Sequence, residues 1–356
     1  MHCSNGFDAW FEPYSKFSFE ALGCRLLALG EDMQRREVIK LIGGAATAWP
    51  LAAHAQQVRS VPTIGLLWPG ASPPAPPRME AFRQGLQEAG LAEGRDVQIE
   101  LRYAQRGLQQ LPELAAELVR LNVKVFVSSG DLGPRVLQKA TTTIPIVAFS
   151  DDVLGAGIVS SLSHPGGMTT GLTILSPELN AKRLDVLRDL IPGLSRVAAL
   201  WDASAAPSQI TATEDAARLL NVKLQILEVR KREDLAPAVN AAMNEKADAL
   251  NVFSSPFLAS LYQEIIALAA EHRLPAIYQW REHAEAGGLV SYGPSLAGLW
   301  RQCATIAVKI LRGAHPAELP VEQPSKFELV VNAKTAKSLG LTIPPVLFIR
   351  ADEVVE

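Results

Sequence analysis

The sequence predicts an α/β protein of two lobes, each built around a parallel β-sheet. Two observations lead to this fold class. Short apolar runs alternate with stretches of helical periodicity, an order typical of parallel strands joined by crossover helices, and this alternation occurs twice along the chain. The 48% content of hydrophobic residues is typical of globular domains and is sufficient for two buried sheets.

The elements follow the same order in both halves of the chain. In the first half, TIGLLWPG, VQIELRYA and VKVFVSSG predict strands, and RMEAFRQGLQEAG and LPELAAELVRLN predict helices. In the second half, RVAALWDAS, LQILEVRK and ALNVFSSP predict strands, and TATEDAARLLN and DLAPAVNAAMNEK predict helices. Each half continues with a fourth strand, IPIVAFSDD or LPAIYQWRE, and then with GIVSSLS or GLVSYGPS.

Matching residues at the strand ends favour two separate lobes over one long parallel sheet. The first strand of each half ends in Leu-Trp, at Trp68 and Trp201, and the third strand ends in Ser-Ser, at Ser129 and Ser255. In one long sheet these matches would be coincidental. Because ligands of open α/β sheets bind beyond the carboxyl ends of the strands, two such lobes predict a ligand cleft between them.

The chain is predicted to pass between the lobes three times. Lobe 1 is assigned residues 61–171 and 292–322, and lobe 2 is assigned residues 172–291 and 323–356. The tail NAKTAKSLGLTIPP predicts a helix that ends at Gly340 before two prolines.

An export signal is predicted at residues 33–55, ahead of the two lobes. Arg35 and Arg36 precede a mostly apolar stretch that is too short to span a membrane, and Ala53-His54-Ala55 offers small residues for cleavage. The paired arginines resemble a twin-arginine signal. We therefore expect cleavage near Ala55 and a periplasmic protein, with a short amphipathic helix as the alternative. Residues 1–32 show no helical or strand period, and we interpret them as a misannotated extension before the true start.

Composition argues against several classes of partner. The chain has 34 Lys and Arg against 37 Asp and Glu, a formal net charge of −3, so no basic field attracts nucleic acid or an anionic membrane. No apolar run after residue 55 reaches membrane-spanning length, which predicts that the mature chain does not insert. Cys303 is the single cysteine after the signal, so an internal disulfide is not expected.

An enzymatic function is not predicted. The sequence lacks a Gly-x-Ser-x-Gly elbow, a His-Glu-x-x-His motif and a phosphate-binding loop. His272 and His283 are too far apart for one helical metal site. Gly155-Ala156-Gly157 lacks the third glycine of a dinucleotide fingerprint, and Cys303 lies in an amphipathic helix, where a small buried residue is the simpler interpretation. We predict no catalytic residue, no metal site and no cofactor.

Candidate ligand-binding residues lie at the strand ends and in the loops that follow. Hydroxyl groups near helix N-termini can hold a carboxylate, and the same residues can simply cap the helices. Acidic residues at strand ends can hold an ammonium group, with capping as the alternative for Asp202. Tryptophans can stack on an aromatic ligand or fill the edge of a core. Tyr292 has either a ligand or a hinge role. The predicted set is Trp68, Ser72, Ser129, Asp151, Trp201, Asp202, Ser255, Trp280 and Tyr292.

We further expect that Trp68 or Trp201 touches the ligand, and that Ser129 or Ser255 lies near its acidic end.

Several segments, taken in order, resemble one known family. They are the twin-arginine start with AWPLAAHAQQ, then AFRQGLQEAGLAEGRDVQIELRYA, HPGGMTTGLT, AKRLDVLRDLIPG, GGLVSYGPSL and QPSKFELVVNAKTAKSLGLTIPP. From residue 33 onward the chain resembles the tryptophan/tyrosine-type substrate-binding proteins of ABC transporters. Three segments depart from the family's usual pattern at the predicted mouth of the cleft: Ser150-Asp151-Asp152-Val153, PGGMTTG and the proline-rich PGASPPAPPR.

The resemblance implies a type I periplasmic binding fold of two Rossmann-like lobes. It also implies the solute-binding component of an ABC importer, which captures a small organic ligand such as an aromatic amino acid or aromatic acid. Its partners would be that ligand and a permease in the inner membrane, and we expect a monomer. The alternatives are a periplasmic sensor subunit that serves a receptor and, less favoured, an enzyme or a repressor-like regulator. A repressor would need a helix-turn-helix in front of the lobes, and residues 1–60 contain no such pattern.

Overall fold

The computed structural model describes residues 61–356, and the predicted extension and export signal lie outside them. The first part alternates strands and helices as predicted. Its elements are β1 (Thr63–Trp68), α1 (Pro76–Glu88), β2 (Gln98–Tyr103), α2 (Leu111–Arg120), β3 (Val125–Ser129), α3 (Leu132–Ala140), β4 (Ile146–Ser150) and β5 (Thr169–Thr173). Proline in the first turn favours the start of α1 and of α2, since proline has no N–H group to leave unpaired.

The second part repeats this order and then extends it. Its elements are α4 (Ser176–Leu190), β6 (Arg196–Asp202), α5 (Ser208–Leu219), β7 (Lys223–Val229), α6 (Leu235–Asn244), β8 (Ala249–Val252), α7 (Pro256–Ser260), α8 (Tyr262–Glu271), β9 (Ala276–Tyr278), α9 (Arg281–Glu285) and β10 (Val290–Pro294). The last elements are α10 (Leu296–Leu311), β11 (Phe327–Asn332), α11 (Ala333–Leu339), α12 (Pro345–Arg350) and β12 (Glu353–Val355).

The strands form two sheets, which confirms the predicted fold class. The first sheet has the order β2-β1-β3-β4-β5 and is parallel throughout. The second has the order β12-β11-β10-β9-β8-β6-β7, in which β11 runs antiparallel to β10 and the other neighbours are parallel. We call the first sheet with its helices lobe 1 and the second sheet with its helices lobe 2.

Helix α10 follows the strands of lobe 2 but packs in lobe 1. Trp300, Cys303 and Ala307 of this helix are buried in one core cluster with Phe82 and Leu86 of α1. Gly85 permits the close approach, since a Cβ atom there would lie 2.5 Å from the carbonyl oxygen of Arg301. Cys303 is fully buried, as predicted for a small core residue.

The chain changes lobe after β5, after β10 and before β11. Strand β5 ends at Thr173 and β10 ends at Pro294, so each strand extends past the predicted changes at residues 171 and 292. Tyr292 belongs to the sheet of lobe 2, because the β10–β11 pairing continues to Pro294 opposite Phe327. The third change follows Glu322, whose N–H donates to the carbonyl of Gly171 in lobe 1 at 2.9 Å.

Two short segments remain to be compared with the sequence analysis. The segment GIVSSLS contains no strand, and the counterpart of β10 in lobe 1 is β5, which pairs with β4 as β10 pairs with β9. The predicted tail helix is confirmed as α11, whose capping residue Gly340 has φ +75°. No helix within residues 61–356 is long and apolar enough to cross a membrane.

Candidate ligand site between the lobes

A narrow cavity lies between the lobes, at the carboxyl ends of both sheets, and the empty space at this position, open solvent included, is about 310 Å³. Its walls contain side chains from β1, β3 and β4 of lobe 1 and from the loops after β8 and β9 of lobe 2. This is the position at which parallel sheets bind ligands. Five predicted site residues line it: Trp68, Ser129, Asp151, Ser255 and Trp280.

One side of the cavity is aromatic. The ring centroids of Trp68 and Trp300 lie 6.0 Å apart, and Phe149 meets Trp300 edge to face at 6.0 Å. The Nε1 group of Trp68 donates to the carbonyl of Ser72 at 2.8 Å, which orients the indole ring. These rings also belong to the core of lobe 1, so filling the core edge and lining the cavity are two roles of the same side chains.

Trp300 also lines the cavity, although it lies on α10 and not at a strand end, where the sequence analysis sought binding residues. It reaches the cavity since α10 returns to lobe 1 and packs beside β3 and β4. Ser72 contributes only its carbonyl group to Trp68. Its own side chain is exposed, and the residue that precedes α1 is Ala75, so Ser72 neither caps that helix nor lines the cavity.

Arg78, in the first turn of α1, supplies positive charge to the cavity. Its guanidinium carbon lies 5.6 Å from the centre of the Trp68 ring, within the range of a cation–π contact. Within residues 61–356 this guanidinium forms no hydrogen bond or ion pair with another side chain. Burial lowers the pKa of Arg78, and the charge of Glu282 in lobe 2 partly offsets that effect. The sequence analysis missed Arg78, although it stands in the unusual loop PGASPPAPPR.

Asp151 supplies an acidic group to the same cavity. It is 1% exposed, and its Oδ1 atom accepts a hydrogen bond from the Ser176 hydroxyl at 3.0 Å. Burial raises the pKa of Asp151 well above its ordinary value, and the neighbouring Asp131 raises it further, while the hydroxyls of Ser254 and Ser176 lower it. A cationic group next to Asp151 would offset the cost of burying its charge.

A smaller adjoining cavity contains Asp131, Asp151 and Asp202 in its walls. Asp202 therefore lies beside the main cavity and not in it. Its Oδ1 atom accepts the N–H of Ser204 at 2.8 Å, which closes a turn. Asp202 does not cap α5, because the residue at the cap position of that helix is Pro207. Burial raises the pKa of Asp202 and of Asp131 as well.

The two predicted serines of the cavity differ in their bonding. Ser255 caps α7, because its Oγ atom accepts the N–H of Leu258 at 3.0 Å. The Oγ atom of Ser129 is buried and has no hydrogen-bond partner within the described part of the chain. Ser129 can therefore donate to a bound acceptor without breaking an existing bond.

Trp201 and Tyr292 do not line the cavity. Trp201 lies in β6 opposite Glu228 of β7. Tyr292 lies 6.2 Å from the ring of Phe327, and its carbonyl accepts the Nε group of the buried Arg183 at 2.9 Å. For Tyr292 this position, two residues before the chain leaves β10, agrees better with the hinge alternative than with a ligand contact.

Hydrogen bonds join the lobes beside the acidic cavity. The Oδ2 atom of Asp131 in lobe 1 accepts the N–H of Ala206 in lobe 2 at 2.8 Å, and Asp152 accepts the hydroxyl of Ser208 at 2.6 Å. Gly130 of lobe 1, with φ +72°, faces Pro256 of lobe 2, and a Cβ atom there would lie 2.6 Å from its Cγ atom. The structure is therefore a closed form of the cleft.

The family model for ABC transporter substrate binding proteins matches residues 75–355. The chain belongs to this family. The resemblance stated from the sequence is thereby confirmed, and the family is one of substrate-binding proteins rather than enzymes. Within residues 61–356 of this substrate-binding protein, no cluster of His, Cys, Asp and Glu has the geometry of a metal site.

Three relatives show how far the similarity extends. The substrate-binding protein is 24% identical over 284 residues to the tyrosine-binding protein of Clostridioides difficile (strain R20291), covering 77% of this chain and 80% of the relative. A Streptococcus pneumonia ABC domain solved in complex with L-Trp is 25% identical with a TM-score of 0.77, and the match covers 83% of this chain and 100% of that chain. A conserved domain protein of Vibrio cholerae is 26% identical with a TM-score of 0.76 and the same coverage.

Proposed function

We propose that this substrate-binding protein captures an aromatic amino acid in the interlobe cavity and delivers it to an ABC permease. The observation that carries the proposal is one interlobe cavity that combines aromatic walls with Arg78 and Asp151. Aromatic walls favour a flat ring, and charges of both signs favour a zwitterion over a simple aromatic acid.

Each end of the ligand then has a defined place. The ring stacks among Trp68, Trp280 and Trp300, the carboxylate binds Arg78 and the free hydroxyl of Ser129, and the ammonium group binds Asp151. Burying an unpaired charge is costly, so each charged side chain selects for the complementary charge on the ligand. The tyrosine-binding and L-Trp-bound relatives support the same ligand class.

Export and delivery complete the proposal. Residues 33–55 direct the chain out of the cytoplasm and cleavage occurs near Ala55, which places the protein in the periplasm beside a permease. The closed cleft presents both lobes together, and a permease can distinguish this form from an open one.

The ligand class is tested by calorimetry with the ligand-stripped protein. We expect L-tryptophan or L-tyrosine to bind, and tryptamine and indole-3-acetate, which each lack one charged group, to bind at least about tenfold more weakly. Denaturing the protein purified from its native host and analysing the extract by mass spectrometry identifies the resident ligand. The proposal would be contradicted if the extracted ligand is not aromatic and no aromatic amino acid gives a heat of binding in the calorimeter.

Delivery is tested in cells by uptake of the labelled ligand. Deleting the gene should abolish high-affinity uptake, and the parental chain should restore it. If the deletion leaves uptake unchanged while the purified protein still binds the amino acid, the importer role is wrong and the binding role stands.

A further inference from the structure

A second cavity lies in lobe 2, away from the interlobe site. It is bordered by α8, α11 and the Gly287-Gly288 turn, and the empty space at this position, open solvent included, is about 590 Å³. Leu274, Ala276 and Leu289 line it from the amino ends of β9 and β10, whereas the interlobe cavity lies at the carboxyl ends of the strands. The two cavities share no lining residue.

Small residues keep this second cavity open. Ala269, Ala270 and Ala276 form part of its wall, with both glycines of the turn. At Gly288 a Cβ atom would lie 2.7 Å from the Cε2 atom of Tyr278 and 2.7 Å from the carbonyl oxygen of His283. Any larger residue at this position would therefore displace the Tyr278 ring.

Most polar groups of the wall are already bonded. The Thr335 hydroxyl donates to the carbonyl of Gly287 at 2.9 Å, the Ser338 hydroxyl donates to that of Thr335 at 2.8 Å, and Arg273 donates to that of Ser338 at 3.0 Å. Tyr278 is the exception. It is 1% exposed and lines the cavity, and none of these hydrogen bonds involves its hydroxyl.

The charges in the wall select the sign of a ligand. Arg273 brings a guanidinium group with further N–H donors, and no Asp or Glu lines the cavity. The remaining donors are the Tyr278 hydroxyl and the guanidinium of Arg273, an exposed residue, in an otherwise apolar wall that includes Ile266, Leu274 and Leu339. An anionic acceptor in the cavity can receive a hydrogen bond from the hydroxyl and a charge-assisted one from the guanidinium.

We propose that this second cavity binds a small apolar monocarboxylate. Its carboxylate accepts the Tyr278 hydroxyl and lies in the field of Arg273, and its apolar body packs on the side chains of α8 and α11. This site is separate from the amino-acid cavity, so the proposal stands or fails independently of the proposed function.

The test is ¹⁹F NMR of the purified protein with 4-fluorobenzoate, after the interlobe cavity has been saturated with its amino acid. We expect binding of 4-fluorobenzoate, and at least about tenfold weaker binding of the uncharged 4-fluorobenzamide. Tyr278→Phe should weaken 4-fluorobenzoate about tenfold while preserving the ring packing.

Ala270→Trp at the exposed mouth should abolish binding, because the indole fills the cavity. Ala267→Trp, on the exposed side of the same helix and outside the cavity, is the matched control and should bind like the parent. Trp68→Ala should also leave 4-fluorobenzoate binding unchanged. The proposal would be overturned if the parent does not bind 4-fluorobenzoate, if Ala270→Trp binds it as well as the parent does, or if Trp68→Ala loses binding. Circular dichroism of each variant checks that it is folded.

Discussion

At the scale of single residues, the aromatic and positively charged side of the cavity consists of Trp68 with Trp300 and Arg78. Trp68 could be predicted because it ends an apolar run and has a counterpart in Trp201. The sequence could not show whether both tryptophans line the cavity. In the structure Trp68 contacts Trp300 and Arg78, whereas Trp201 lies in β6 opposite Glu228 of β7. Arg78 was missed because a single arginine beside prolines carries no periodic signal.

The first prediction compares these two tryptophans. Trp68→Ala should lower the affinity for the amino acid by about 2 kcal/mol or more, roughly thirtyfold, because it removes a stacking surface and the support of Arg78. Trp201→Ala, its counterpart outside the cavity, should change affinity less than about threefold. Calorimetric titration of both folded variants decides this. Equal affinities for the two variants would contradict the assignment of Trp68.

The second prediction concerns Asp151. Asp151→Asn should lower amino-acid affinity by about 2–5 kcal/mol, at least about thirtyfold, because the ligand's ammonium loses its counter-charge. The same change should stabilise the ligand-free protein at pH 7, since an amide, unlike a carboxyl group, has no ionised form for burial to disfavour. Calorimetry and urea unfolding measure the two effects. A variant with weaker binding and also lower stability would indicate a structural role instead.

The raised pKa of Asp151 also predicts a pH dependence. The folded, ligand-free protein binds a proton here that the unfolded chain has already released, so this contribution to the free energy of unfolding falls as pH rises. The fall begins near the ordinary Asp pKa of about 4 and ends above the raised one. Urea unfolding from pH 4 to 8 should show that the ligand-free parent loses stability with rising pH relative to Asp151→Asn. A constant difference between the two proteins would contradict the shift.

At the scale of elements, closure of the cleft depends on loops whose positions could be predicted from the sequence but whose orientations could not. In the loop between β6 and α5, the N–H of Ala206 donates to the Asp131 carboxylate and the carbonyl of Ser204 accepts from Arg135, near the start of α3. The periodic strands were predictable because their burial dictates their composition. The predicted lobe changes at residues 171 and 292 fall within β5 and β10, since pairing with neighbouring strands, and not local pattern, determines where each strand ends.

A third prediction tests the contact of Gly130 with Pro256. Gly130→Ala should weaken ligand binding about tenfold or more, because relieving an overlap in a packed contact costs about 1–3 kcal/mol and opposes closure. Gly157→Ala is the matched control: its φ of +66° is similar, but nothing lies within 4 Å of the added Cβ. Calorimetry and small-angle scattering with ligand should show impaired closure only in Gly130→Ala. The same loss in both variants would assign the effect to backbone strain alone.

At the scale of the whole molecule, the repeated order of elements was sufficient to predict two lobes and a cleft. Helix α10 packs in lobe 1 and lies within the range 292–322 that the sequence analysis assigned to that lobe. Strand β12 was not predicted, because Glu353–Val355 is too short to show a period. Arg78 and Trp300 were not predicted as cavity residues, because they reach the cavity through the packing of α10 and α1 in lobe 1 and not through a local sequence pattern.

A fourth prediction concerns stability of the whole chain. Ligand at 100 times its dissociation constant should stabilise the folded protein by about 2.7 kcal/mol, which raises the melting temperature by roughly 2–4 °C for a chain of this size. Thermal denaturation with L-tryptophan and L-tyrosine measures the shift, and D-tryptophan serves as the control. Equal shifts with both enantiomers would argue against a defined place for the two charged groups.

The most direct test of the central claim is a crystal structure of the protein purified with its resident ligand. We predict an aromatic amino acid between the lobes, with its ring against Trp68 and Trp300, its carboxylate on Arg78 and its ammonium group within hydrogen-bond distance of Asp151. A non-aromatic ligand in this cavity, or an aromatic amino acid bound elsewhere while the interlobe cavity holds only water, would contradict the account.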